Sequence, residues 1–333
     1  MKITQLLALL VVTFLACKPT LETEEKGNTV ELPPIKEQID YLPKMVGPGL
    51  ISTAAFEGHA SISPDGKELY YAIYSNDHAY STIVYSRQVN GKWTTPKIAP
   101  FSGRWSDGSP ALSPDGNRLY FSSKRPIAKQ DSLNNSDIWF VERTKDGNWG
   151  SPTHLGETIN TPHYEFSPSV DLEGNLYFCS NKPGGYGDLD VYYAAREGDK
   201  WAPPVLLDEA INSEYHEGNV GVSPDGQWLF TMIQHKPGDL GYDDIHYAFK
   251  RDDKWLPSKN LGAVVNTYTY DFSPKISPDG KTLYFSSRLN REFTQTKEPY
   301  SYETLQAYLN GPLNGFGNIY QIALDQLDLQ TNE

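Results

Sequence analysis

Ser113-Pro114-Asp115-Gly116-Asn117-Arg118-Leu119-Tyr120-Phe121-Ser122-Ser123 is written again, with two changes, as Ser277-Pro278-Asp279-Gly280-Lys281-Thr282-Leu283-Tyr284-Phe285-Ser286-Ser287. Pro-Asp-Gly is a turn: Pro presets φ at the first corner, Asp bonds its own backbone, and Gly accepts positive φ. The Leu-Tyr-Phe run that follows suits a strand buried on both faces. Two further copies of the turn stand at Ser63-Pro64-Asp65-Gly66 and Ser223-Pro224-Asp225-Gly226, and a degenerate one at Asp171-Leu172-Glu173-Gly174. Their glycines fall at 66, 116, 174, 226 and 280, a period of roughly 50 residues in the range of propeller blades.

The rest of the unit repeats with the turn. A second aromatic strand follows each first one, at Ile83-Val84-Tyr85, Ile138-Trp139-Phe140, Val191-Tyr192-Tyr193, Ile245-His246-Tyr247 and Ile319-Tyr320. Next comes a Trp with a Pro close behind it: Trp93/Pro96, Trp149/Pro152, Trp201/Pro204 and Trp255/Pro257. Pro there fits an outer edge strand, where a missing donor does no harm. The last copy lacks this segment, and Met45/Pro48 near the N-terminus supply its spacing. Asn160, Asn212 and Asn266 each stand five residues before an acid, as do Ser52 and Ser102. The register therefore predicts an all-β fold, a five-bladed propeller of four-stranded blades. Residues 44–52 are expected to form the outer strand of the C-terminal blade, so neither end strand is left open.

Composition agrees with many short strands and tight turns: aromatic content is 13%, with 27 Gly and 24 Pro. The net charge of −13 repels a phosphate backbone, so no nucleic-acid partner is expected. Two cysteines cannot form a disulfide framework. Cys179, inside an apolar run, reads as a buried inert thiol.

Cys17 is different. Lys2 precedes an apolar run from Ile3 to Leu15, short for a permanent span, and the run ends at Ala16-Cys17. This is similar to a bacterial lipoprotein signal, which implies a signal peptide over 1–16 and a lipidated Cys17. Residues 17–43 then have the composition of a flexible tether. The propeller is expected over 44–324, with a C-terminal tail over 325–333. The expected location is the bacterial cell envelope, periplasmic or at the cell surface, with membrane contact through the lipid alone and a monomeric body.

With the motif S-P-D-G-x-x-L-Y-F-x-S in view, the sequence resembles the TolB-type, WD40-like β-propeller repeat family over about residues 44–324. Gly184-Gly185-Tyr186-Gly187-Asp188-Leu189-Asp190-Val191-Tyr192 adds a Gly-rich turn before a third strand. The count of five blades departs from the six of TolB, so TolB's partners do not transfer. Propellers of this kind serve binding, scaffolding and catalysis alike.

The candidate site follows from topology. Loops entering the first strand and loops joining the second to the third share one face, which collects Glu57, Asp107, Glu165, Glu217 and Asp271. Two residues on come His59, Ser109, Ser167, Asn219 and Ser273, expected on one side by strand alternation. A ring of carboxylates at a channel mouth needs a cation, backbone donors or raised pKa values. Two readings stay open: latches onto backbone N–H groups of a neighbouring blade's loop, or a cation-attracting mouth with Ca2+ as candidate ligand. Asp137, Asp190, Asp244 and Asn318, before the third strands, read as turn formers. In the fifth copy this loop expands over 289–317, with a short helix capped by Ser301 that either covers the mouth or packs on its own blade. No nucleophile-elbow, zinc-helix or phosphate-loop motif is present, and the seven histidines lack metal-ligand spacing. The expected function is a protein- or peptide-binding scaffold acting through the channel face, with no cofactor required. The alternatives are a glycosidase-like carbohydrate-active enzyme and a glycan- or Ca2+-binding module.

Overall fold

A computed structural model describes residues 43–127, 135–290 and 299–331. The signal and lipidation readings at 1–16 and Cys17, and all but the last residue of the tether, lie outside the described residues. Among those described, no helix is long and apolar enough to cross a membrane.

The five repeats form five antiparallel sheets, mostly of four strands in sequence order from the centre outward. Blade 1 has Phe56–Ile62, Glu68–Tyr74, Ser81–Val89 and Lys97–Ile98. Blade 2 has Asp107–Leu112, Arg118–Ser123, Asp137–Glu142 and Thr153–His154. Blade 3 has Glu165–Val170, Leu176–Ser180, Asp190–Ala194 and Val205–Leu206. Blade 4 has His216–Val222, Trp228–Gln234, Asp243–Arg251 and Lys259–Asn260. Blade 5 takes Asp271–Ile276, Thr282–Ser287 and Asn318–Ala323 from the C-terminal part of the chain, and Lys44–Met45 as its outer strand. Lys44 pairs with Gln321 and Met45 with Tyr320, and Val46 N donates to Ile319 O at 2.8 Å. The ring closes as the repeat register requires.

The repeated turn shows why its residue types recur. In blade 1 the Ser63 hydroxyl donates to Asp65 Oδ1 at 2.6 Å and accepts from Glu68 N at 2.8 Å, while Gly66 sits at φ +69°. Asp115 and Asp279 accept the same Ser hydrogen bond. In the degenerate copy one carboxylate serves both roles: Asp171 Oδ1 accepts from Glu173 N at 3.0 Å and Asn175 N at 2.9 Å.

The repeated Trp of blades 1 to 4 packs backward onto the preceding blade. Trp149 meets Tyr70 edge-on, as Trp201 meets Tyr120 and Trp255 meets Tyr177, with ring centroids 5.9, 6.1 and 6.4 Å apart. Trp149 Nε1 also donates to Tyr70 Oη at 2.9 Å. Trp93 of blade 1 packs in the same cluster as Tyr284 of blade 5. Blade 5 has no Trp to offer blade 4. The segment after its third strand fills that role: Leu327 and Leu329 join the cluster of Phe230 and Tyr247, and Gln330 N donates to Tyr247 Oη at 3.1 Å. The stretch expected as a tail is thus, in part, a replacement wedge.

The expanded fifth loop carries a helix, Tyr302–Leu309, with the Ser301 side chain accepting from Thr304 N. None of its residues is fully buried; Thr304, Gln306, Ala307 and Tyr308 are half-buried and the rest exposed. Phe316, beyond it, does turn inward onto the cluster of Phe56, Met232 and Phe272.

Candidate functional site

The connection from each outer strand to the next innermost strand has two repeated parts. The first is a clamp. Asn212 Oδ1 accepts from Val191 N at 2.8 Å, and its Nδ2 donates to Val191 O at 3.0 Å and Leu207 O at 2.8 Å. Asn160 holds Ile138, and Asn266 holds Ile245, through the same pair of bonds. The side-chain amide therefore continues the sheet of the preceding blade as a strand residue would. Ser52 and Ser102 make the shorter version on Ile319 and Ile83.

The second part is the acid. Glu165 accepts from Thr161 N at 2.8 Å, Thr161 Oγ1 at 2.6 Å and Ser180 Oγ at 2.9 Å. Glu217 accepts from Ser213 N at 3.0 Å and from the Ser213 hydroxyl. Glu57 and Asp271 hold Thr53 and Thr267 in the same way. Asp107 departs from the pattern, taking Ser102 Oγ at 2.8 Å, Ser123 Oγ at 2.6 Å and Arg125 at 2.7 Å. All five side chains are buried, folded under the turn that precedes them rather than standing at an open mouth. Burial pushes Glu57 and Glu217 up to about 7, Glu165 to about 6 and Asp271 to about 7, against the opposing pull of their hydrogen bonds. Among the described residues no group of three or more His, Cys, Asp or Glu side chains is arranged to share a metal ion.

The positions two residues on do face inward, for a reason other than strand alternation. His59, Ser109, Ser167, Asn219 and Ser273 all have positive φ, between 47° and 57°, at a register shift in each innermost strand. This fivefold left-handed bulge re-aims one side chain per blade. His59 Nδ1 lies 3.2 Å from Ser109 Oγ, and burial, with Lys275 and His78 nearby, holds its ring down at about 3, so it is neutral.

His59, Ser109 and Asn219 help to line a cavity of about 590 Å3 on the channel face. Tyr74, His78, Tyr164, Phe166 and His216 complete its principal walls, and none of the five repeated acids lines it. Tyr164 and His216 each precede a repeated acid by one residue, a position whose outward aim was implicit in the repeat but not drawn from it. Asp188 is the one carboxylate residue of the described lining. The exposed aromatic rings lie on the same face, and one of them, Tyr164, is in the cavity wall. Tyr80, Trp105, Tyr164, Tyr186, Tyr242, Tyr268, Tyr300 and Tyr302 are the exposed Tyr and Trp side chains of the described residues, and every one lies on a channel-face loop. Among the described residues the opposite face has none. Asp190 and Asp244 close the loops beneath them by accepting backbone N–H groups of Tyr186 and Gly187, and of Leu240 and Gly241.

No family model matches the sequence. No curated protein matches it either. Among solved structures the chain is similar in fold to TolB from Acinetobacter baumannii, at 14% identity and TM-score 0.46, covering 80% of this chain and 54% of that one. It is similar to an alpha-L-arabinofuranosidase from Lactobacillus brevis, at 14% identity and TM-score 0.47, covering 81% and 95%. It is similar also to a GH62 hydrolase in complex with xylotriose, at 11% identity and TM-score 0.44, covering 84% and 96%. Likeness at this level is one of fold. The chain is an all-β, five-bladed propeller, an architecture shared by scaffolds and glycosidases.

Proposed function

We propose that the chain is an exported binding propeller that takes a neutral glycan on its channel face. The observation that carries this is the confinement of the exposed Tyr and Trp rings of the described residues to the face that holds a cavity of about 590 Å3, with Tyr164 in its wall. A sugar ring offers an apolar C–H face and a rim of hydroxyls. Tyr and Trp side chains supply flat apolar contact with a polar edge, and neutral His59, Ser109 and Asn219 supply donors and acceptors beside the charged Lys124 and Asp188 of the lining. Binding is favoured over hydrolysis because glycoside cleavage uses two carboxyl groups flanking the bond, and Asp188 stands alone in the described lining. The protein or peptide scaffold expected from the sequence uses the same face, and Ca2+ would be an addition at the acids rather than a requirement of the cavity.

Calorimetry against a panel of soluble oligosaccharides tests the proposal. Tyr164→Ala and His216→Ala are each expected to weaken the best ligand about tenfold or more, the loss of one aromatic or hydrogen-bonding contact. No heat with any glycan, together with capture of a protein partner abolished by the same substitutions, would replace this reading with the scaffold.

The export reading adds a separate expectation. Metabolic labelling with palmitate should mark the wild-type protein in a bacterial host, and Cys17→Ser should lose the label and appear in the soluble fraction. Label retained in that variant removes the lipid anchor at Cys17 and leaves the glycan proposal standing.

A further inference from the structure

Four residues after each repeated acid, the innermost strands carry Ser61, Ala111, Ser169, Gly221 and Lys275, and all but Gly221 line one small cavity. Four of these are small, and the fifth fills the space they leave. Lys275 is 5% exposed. Its Nζ donates to Pro168 O at 2.8 Å and Val220 O at 2.5 Å, carbonyls of blades 3 and 4, so the side chain reaches from its own blade to both. Gly221 is required beside it: a Cβ there would stand 2.3 Å from Pro274 O and 3.3 Å from Lys275 Cα.

This ammonium group is short of partners. Three N–H bonds are available to a lysine, and the two carbonyls take two. Among the described residues no carboxylate forms an ion pair with it. The titratable groups that act on it are uncharged near neutral pH, since burial holds His59 at about 3 and pushes the Cys179 thiol up to about 12. A buried cation without a counter-charge is costly, and it either gives up its proton or acquires an anion. Burial pushes the Lys275 amine down to about 7, against a smaller opposing effect of Cys179.

A cavity adjoins it toward the Pro-Asp-Gly face, with a volume of about 20 Å3, room for one water or one ion of similar size. Lys275, Ser61 and Ser169 supply its polar lining, and Pro114, Pro224 and Pro278 rim it; no acidic residue lines it. Ser61 Oγ accepts from Leu112 N at 2.9 Å and Ser169 Oγ from Val222 N at 3.0 Å, which leaves each hydroxyl proton free to donate inward. The polar side chains of the lining are thus two hydroxyls and one amine, all able to donate, among apolar residues. We propose that this cavity is a binding site for one small monovalent anion, chloride, held between the Lys275 ammonium and the hydroxyls of Ser61 and Ser169.

The probe is chloride itself. Near neutral pH and at matched ionic strength, the thermal midpoint of the full chain is expected to be about 3 °C or more higher in sodium chloride than in sodium gluconate or sodium sulfate. Lys275→Met should lose this difference. The Ser61→Ala/Ser169→Ala double variant, which keeps the amine and its two carbonyls, should lose at least half of it. Crystals grown in bromide should show an anomalous peak within hydrogen-bonding distance of Lys275 Nζ. A water only at that position, equal midpoints in the three salts, or a chloride effect undiminished in Lys275→Met would each overturn the assignment.

Discussion

Asn212→Ala is expected to lower the unfolding free energy by about 3–5 kcal/mol, seen as a fall in the urea midpoint at unchanged slope. The side chain is 1% exposed and makes all three of its hydrogen bonds to backbone. Removing it strands the Val191 N–H and takes the side-chain donor from Leu207 O, while Val191 O keeps its bond from Leu207 N at 3.1 Å; each stranded group carries a desolvation cost of about 1–3 kcal/mol. The void left by the missing amide adds to that. Asn212→Asp separates the two contributions, because it fills the volume and retains the acceptor for Val191 N while turning a carboxylate toward Val191 O and Leu207 O. It should be at least as damaging as the alanine. A loss below about 1 kcal/mol for either variant would mean that the blades hold together without the clamp.

Glu217→Gln should behave in the opposite sense at neutral pH. Burial raises the folded-state pKa of Glu217 from the ordinary 4.5 to about 7. A raised pKa means that the folded state binds the proton more tightly than the unfolded chain does. The stabilising contribution is complete below the unfolded value and is lost as pH rises through the folded one. At pH 5 the wild-type carboxyl is neutral in the fold and resembles Gln; at pH 7.5 it is charged and buried, a burden that the amide lacks. The stability of the variant relative to wild type is therefore expected to improve by about 2–3 kcal/mol between pH 5 and pH 7.5. The comparison has to be made at one site, because the whole-protein profile mixes opposing groups. His59, whose pKa is lowered, loses stability as pH falls through the ordinary histidine value, against the trend of the acids. A relative stability that is flat with pH would show that Glu217 keeps an ordinary pKa in the fold.

Much of the architecture was legible because turn chemistry is local. Ser-Pro-Asp-Gly needs no tertiary partner to be a turn, so each copy marks a blade, and the spacing of Met45 and Pro48 was enough to place the closing strand. The Asn-to-acid spacing was equally visible, but its meaning was not. Linear periodicity says that Glu57, Asp107, Glu165, Glu217 and Asp271 are equivalent; it does not say which way they point. Their aim depends on the Thr or Ser four residues earlier that folds back over each of four of them, and Asp107 recruits Arg125 instead. Lys275 was invisible for another reason. A lysine in a strand that otherwise alternates reads as a surface residue, and only closure of the ring brings its amine onto carbonyls 55 and 107 residues away in sequence. The aromatic residues of that face give no linear signal because they sit at unrelated places in their loops and share a face only through the repeated topology.

The left-handed bulge in every innermost strand sets limits on how this molecule can change. A backbone held at positive φ accepts Asn, Ser, His or Gly at modest cost and rejects β-branched residues. The positions that look into the cavity can thus exchange one small polar group for another, blade by blade, while the hydrogen-bonded frame outside them stays as it is. Ligand preference can drift through a short alphabet of side chains without renegotiating the fold. Such a ring is a chassis whose five inner teeth are replaceable, provided that none of them is Val, Ile or Thr.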